Sequence, residues 1–187
     1  LLVSNPNEVK DGQLPATMVA AHSGHYVILG LLLEAGADPN LRGPKNQTAL
    51  MRAVINGHAF AARKLIAGGA DPNLQDDDGR GALAYAAFLG RDGLARDLLQ
   101  NGADPNLQDY KGNPPLFEAI VSGNHGITRA LVESEADVNL LNHRKQTPLL
   151  AAWQSWRSET PIPLNLERAA IHYLVKAGQD LALSDES

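Results

Sequence analysis

The chain has 187 residues and a formal net charge of −5; 44% of its residues are hydrophobic and 5% are aromatic. The acidic balance argues against a general nucleic-acid binder, which needs a basic surface to displace counterions, and a cysteine count of zero excludes disulfides, thiolate metal sites and a cysteine nucleophile. No apolar run approaches the roughly 18 residues that span a bilayer, so no membrane insertion is expected, and Leu1-Leu2-Val3 carries no basic region or signal-peptide core, which leaves the compartment open.

In chain order, residues 1–9 read as the remnant of a preceding repeat, with Leu1-Leu2 as the stub of a helix, so that the native protein is expected to extend N-terminally. The segment Val3-Ser4-Asn5-Pro6-Asn7 is a degenerate copy of a motif that then occurs three times in full: Gly36-Ala37-Asp38-Pro39-Asn40, Gly69-Ala70-Asp71-Pro72-Asn73 and Gly102-Ala103-Asp104-Pro105-Asn106. The spacing is 33 residues, and a weaker copy, Glu135-Ala136-Asp137-Val138-Asn139, keeps the period. A fixed period of this length predicts a stack of helix pairs in which no unit buries its apolar face alone. The units fall at about 10–42, 43–75, 76–108, 109–141 and 142–184. First helices start at Pro15-Ala16-Thr17-Met18, Thr48-Ala49-Leu50-Met51, Gly81-Ala82-Leu83-Ala84, Pro114-Pro115-Leu116-Phe117 and Thr147-Pro148-Leu149-Leu150. Small residues such as Ala20-Ala21 and Ala86-Ala87 let helices approach closely. Gly24, Gly57, Gly90 and Gly123 end the first helices, since glycine tolerates the left-handed conformation of a helix terminus. Second helices follow with apolar residues at helical spacing, Ile28 to Leu33 in the first unit and Leu94, Leu98 and Leu99 in the third.

These motifs, with Ala20-Ala21-His22-Ser23-Gly24-His25 and Thr147-Pro148-Leu149 in phase, resemble the ankyrin repeat family over residues 10 to 183. The resemblance implies an all-α ankyrin repeat solenoid of about five helix-turn-helix units. It also implies β-hairpin-like loops projecting to one side, and a concave face built from loops and first helices. Three departures stand out. The family's histidine after Thr-Pro-Leu is replaced by Met18, Met51, Ala84, Phe117 and Leu150, so apolar packing is expected in place of its hydrogen-bond bracing. The fifth unit carries an insertion of about ten residues near 153–166, where Pro161 and Pro163 forbid a regular helix. The end, Gly178-Gln179-Asp180-Leu181-Ala182, reads as a worn repeat terminus or a cap.

On a first helix, positions four, seven and eight after the repeat threonine should look into the concave groove. The middle units place Arg52, Ile55, Tyr85, Phe88, Leu89, Glu118 and Val121 there. An exposed apolar patch of this kind marks an interaction site, and aromatic and arginine anchors are the usual hot spots; the competing reading buries Phe88 and Leu89 between repeats. The loop tips change sign along the stack, from Asp76-Asp77-Asp78-Gly79 through Asp109-Tyr110-Lys111-Gly112 to Asn142-His143-Arg144-Lys145. Asp77, Asp78, Tyr110 and Lys111 would add polar contacts and orient a partner, against the plainer reading of solvated turns. Trp153 and Trp156 form either a binding lip over the end of the groove or a cap on the last interface; both readings stand. Arg63, Arg96 and Arg129 recur at the same spacing on second helices and read as a solubilising convex column, with Arg129 and Glu133 paired at i,i+4.

The six histidines do not assemble a ligand set: His22 and His25 lack a third partner at a sensible spacing, and His25 and His58 occupy the repeat's own Gly-His position. Phosphate loops, a nucleophile elbow and an EF-hand spacing are absent from the sequence. No cofactor or metal is expected. An enzyme would need a further domain, or chemistry in the insertion, where Glu159 and His172 are the one plausible acid–base pair. The leading expectation is a non-catalytic, monomeric module that binds a partner protein. The resemblance sharpens it: the Asp-Pro-Asn loop looks like that of bacterial ankyrin proteins, some of which are immunity proteins neutralising a toxin enzyme. A host-directed effector and a multi-partner scaffold are the alternatives.

Overall fold

The computed structural model describes residues 5–9 and 13–157. Its helices alternate between seven-residue and nine-residue members: α1 (Ala16–His22) and α2 (Tyr26–Glu34), α3 (Ala49–Ile55) and α4 (Ala59–Ala67), α5 (Ala82–Phe88) and α6 (Asp92–Gln100), α7 (Pro115–Val121) and α8 (His125–Glu133), then α9 (Pro148–Arg157). The helices α1, α3, α5, α7 and α9 pack in that order as an inner row, and α2, α4, α6 and α8 form an outer row behind them. A short 3-10 turn, Pro44–Asn46, is inserted before α3. No strand occurs among the described residues, and no helix among them is long and apolar enough to cross a membrane.

The short first helices have defined ends. Thr48 and Thr147 cap α3 and α9, their hydroxyls accepting from the amides of Met51 and Leu150 at 3.3 Å each. Gly24, Gly57, Gly90 and Gly123 follow α1, α3, α5 and α7 with φ between 67° and 75°, a left-handed conformation that strains any residue with a Cβ. Between the rows lies one continuous apolar core. Leu29, Leu65, Leu98 and Leu131, one from each outer helix, have no exposed surface. They meet Met18, Leu50, Met51, Leu116 and Ile120 of the inner row, with Ala20, Ala21, Ala53, Ala86 and Ala87 filling the closest approaches. Each buried leucine is worth about 1.5–3 kcal/mol relative to exposure.

The Asp-Pro-Asn motif is a clamp between successive repeats. The aspartate folds back to accept the asparagine's own amide, Asp38 to Asn40, Asp71 to Asn73 and Asp104 to Asn106, each at 2.8 Å. This aims the asparagine side chain along the stack. Asn40 donates to the Gly69 carbonyl at 3.1 Å and accepts from the Asp71 amide at 2.8 Å; Asn73 donates to Gly102 at 2.9 Å and accepts from Asp104 at 2.7 Å. Asn7, in the degenerate copy, makes the same pair with Gly36 and Asp38. The motif therefore satisfies the backbone groups at the end of the next repeat's second helix, which would otherwise lack partners.

The last inner helix differs from the others, and one expectation changes. The helix after Thr147 does not stop after seven residues but runs on to Arg157, so that the start of the insertion, 153–157, is helical. The reason is local: the register position of Gly24, Gly57, Gly90 and Gly123 is held here by Trp156, so the glycine that ends the other first helices is missing. Met18, Met51 and Ala84 are buried as the apolar replacement of the family histidine implies, whereas Phe117 and Leu150 are only half-buried. Residues 1–4 of the N-terminal remnant, the remainder of the insertion with Glu159, and His172 and the Gly178 terminus lie outside the described residues.

Candidate protein-binding groove

The last three loops between repeats are hairpin-like, with a main-chain bond across each base: Asp76 N to Arg80 O at 3.1 Å, Asp109 N to Asn113 O at 3.0 Å, and Asn142 N to Gln146 O at 2.9 Å. The first residue of each tip is buried and turned inward. One carboxylate oxygen of Asp76 accepts the amides of Asp78 and Arg80 at 2.9 Å; one of Asp109 does the same for Lys111 and Asn113, and the side-chain amide oxygen of Asn142 for Arg144 and Gln146. Asp76 thus belongs to the frame, and the acidic surface of that tip is Asp77 and Asp78. Neighbouring tips are tied main chain to main chain, Tyr110 N to Asp78 O at 3.1 Å and His143 N to Lys111 O at 3.0 Å. Gln75 and Gln108 each bridge their own tip to the next repeat, reaching Gln108 O at 2.8 Å and Leu141 O at 3.0 Å. The tip side chains stand on a hydrogen-bonded platform.

Behind the tips, polar side chains join each hairpin to the inner helices. The Tyr85 hydroxyl donates to Asp76 at 2.5 Å and takes a weaker bond from Gln47 at 3.4 Å. Burial, then the bond to Asp76 and its charge, push the Tyr85 phenol up to about 12. Arg80 meets the buried Glu118 at 3.4 Å. Burial raises the Glu118 carboxyl above its ordinary value, an effect that Arg80 opposes and Asp109 reinforces. Asn142 donates to Asn113 at 3.1 Å, and Gln146 donates to Gln154 of α9.

At the C-terminal part of this face the tips and the inner helices enclose a cleft of about 820 Å³. Tyr110, Lys111, His143 and Arg144 form its tip side; Arg80, Asn113 and Gln146 its base; Phe117, Glu118 and Val121 of α7 its floor; Ala151 and Gln154 of α9 its far wall. Four of the expected groove residues, Tyr110, Lys111, Glu118 and Val121, are brought together here. Tyr110 is 65% exposed, whereas Glu118 is buried and engaged with Arg80. Phe88 and Leu89 lie at the end of α5, 49% and 37% exposed, not between repeats. Arg52, Ile55 and Tyr85 are half-buried; Tyr85 is held by Asp76, and the Arg52 Nε is buried without an acceptor among the described residues. Asp77 and Asp78 are exposed. Trp153 packs half-buried against the core, and Trp156 lies on α9 with its side chain outside the described residues.

The family model for ankyrin repeats (3 copies) matches residues 17–109 and, again, 83–185. The chain belongs to the ankyrin repeat family. No curated protein matches it. Ankyrin repeats generally mediate contacts between proteins, and the family is typically a non-catalytic interaction module.

In this ankyrin stack the repeat glycine-histidine position is structural. His58 donates from Nε2 to the His22 carbonyl at 3.0 Å, and Asn124, at the same register, donates to the Ala87 carbonyl at 2.6 Å. Among the described residues no group of three His, Cys, Asp or Glu is placed to hold a metal ion. On the outer face Arg129 pairs with Glu133 at 2.6 Å, while Arg63 reaches Asp97 of the next outer helix at 2.7 Å and stands 6.0 Å from the Phe60 ring. The cleft residues that sequence reasoning did not single out are Arg80, Asn113 and Gln146, with His143 and Arg144 noted only as tip residues. Their signal is positional: 47, 80, 113 and 146 form one 33-residue column of polar residues just before each inner helix.

Proposed function

We propose that this ankyrin domain binds a partner protein through the concave face, with Phe88, Leu89 and Tyr110 as apolar anchors and Asp77, Asp78, Lys111 and the cleft side chains as the polar surround. The observation that carries the reading is the exposure of these three large side chains, of which Tyr110 lines a cleft whose tips are locked by hydrogen bonds. Exposed aromatic anchors on a prebuilt surface bind with little ordering entropy. The narrower form of the reading is an inhibitor of the immunity type, seated over the active site of one toxin enzyme. The acidity of the chain and its rigid groove support that form. A single tight partner in one-to-one stoichiometry separates it from a multi-partner scaffold.

The test is affinity capture from lysate of the source organism with mass spectrometry. Wild type is compared with a Phe88→Ser, Leu89→Ser, Tyr110→Ser variant whose circular dichroism and unfolding midpoint match it. Tyr85 is left intact because its hydroxyl holds Asp76. One stoichiometric partner, lost with the variant, supports the groove; a partner retained by the variant removes the groove from the binding site.

A further inference from the structure

The cleft combines a floor of Phe117, Val121 and the Arg80-engaged Glu118 with a basic rim. Arg80 is partly neutralised by Glu118 at 3.4 Å, the one carboxylate among the described residues that line the cleft. Lys111 and Arg144 remain: both are exposed, and among the described residues neither is in an ion pair. They occupy the same register position on adjacent tips, 33 residues apart. Their backbones are fixed by the turns at Asp109 and Asn142 and by the bond from His143 N to Lys111 O. One repeat earlier the same position is Asp78, with Asp77 beside it. The sign of the tip row therefore inverts between the third and fourth hairpins of a chain that is acidic as a whole.

We infer that the cleft takes an acidic segment of the partner protein. Its carboxylates meet Lys111 and Arg144, and an apolar side chain next to them rests on Phe117 and Val121. This rests on the protein-binding reading above and adds the chemistry of the partner's contact. Two cations on hydrogen-bonded tips, facing among the described lining residues a single carboxylate, Glu118, that Arg80 already engages, attract carboxylates, while Asp77 and Asp78 repel them. An acidic segment is thereby confined to the fourth and fifth tips and given a direction along the stack. A polynucleotide fits less well: two rim cations above a floor that contains Glu118, in a molecule of net charge −5, provide little of the phosphate neutralisation that drives such binding.

The experiment is selection of phage-displayed random dodecapeptides on the full chain. The selected peptides are then measured by fluorescence anisotropy against wild type, a Lys111→Glu, Arg144→Glu variant and a Tyr110→Ser, Phe117→Ser variant, each checked by circular dichroism. The expected result is peptides rich in Asp and Glu that bind the charge-reversed variant roughly tenfold more weakly and weaken with added salt. Neutral or basic peptides that depend on Tyr110 and Phe117 would overturn the acidic-segment inference while leaving protein binding by the groove in place. Acidic peptides indifferent to the charge reversal would overturn it as well, and so would equal displacement by a twelve-residue oligothymidylate, which would make phosphate backbone the ligand. Peptides indifferent to both variants would sink the inference and leave Phe88 and Leu89 as the groove anchors still to be tested.

Discussion

The third and fourth repeats share a frame and differ at the positions around it. In the third, Gly102 sits at the left-handed end of α6 with φ 85°, Pro105 stiffens the clamp, and Gln108 carries the bridge to the next repeat. In the fourth, the same three positions are Glu135, Val138 and Leu141. Glu135 nonetheless adopts φ 62°, and Leu141 is 47% exposed. At the tips, Asp77-Asp78 gives way to Tyr110-Lys111, and beneath them lies the cleft. The inner helices, the buried first tip residue and the tip-to-tip bonds are unchanged. The difference shows that one repeat holds two separable sets of positions, one that builds the frame and one that writes the surface. The fourth repeat has given up some of the first while changing the second.

The frame is most sharply tested in its core. Leu98→Ala should destabilise the protein by about 2–5 kcal/mol, since a fully buried leucine leaves a cavity that close-packed helices cannot fill; urea unfolding followed by circular dichroism measures it. Next come the clamps. Asn73→Ala removes two cross-repeat hydrogen bonds and should cost about 1–2 kcal/mol. Asn106→Ala, which loses the bond to the Asp137 amide, should cost less. Equal losses at the two sites would erase the distinction drawn between the repeats.

Tyr85→Phe should cost about 1 kcal/mol, because Asp76 loses a donor while keeping the amides of Asp78 and Arg80. It also has a pH signature. The folded-state phenol is raised to about 12 from 10.0, so its contribution is complete below pH 10 and is lost as pH rises toward 12. The variant should lack that alkaline component, as unfolding measured at successive pH values would reveal. The smallest effect separates the two helix ends. Glu135→Gly should stabilise by roughly 0.5 kcal/mol by relieving a left-handed residue, and Gly102→Glu should destabilise by roughly 1 kcal/mol. A loss on placing glycine at 135 would mean that the Glu135 side chain contributes more than its backbone strain.

The frame was legible in the sequence because its parts are periodic and chemically uniform: Asp-Pro-Asn, the helix-ending glycines and the outer-row leucines recur as the same residue types. The groove was half legible. Periodicity led to Phe88, Leu89 and Tyr110, which are exposed, and to Val121, which lines the cleft, yet it could not show that Tyr85 and Glu118 are engaged by Asp76 and Arg80. Those contacts join residues whose neighbours in the column are of other types: Gln47, Arg80, Asn113 and Gln146 share a place and not a chemistry. Asp76 looked like part of an acidic tip because a buried turn-forming aspartate and a solvated one have the same local sequence. The extra turn of α9 was readable in retrospect from Trp156, where a glycine was due.

The asparagine clamps have a mechanical corollary. Each one links a repeat to its immediate successor, 29 and 31 residues along, and the tip-to-tip bonds do the same. A load applied to the two ends therefore passes through these links in series. Stretched between its termini, the molecule should fail as a zipper fails, one helix pair at a time from an end. Each event would release a length on the order of 110 Å, the extent of one fully drawn-out repeat of this period.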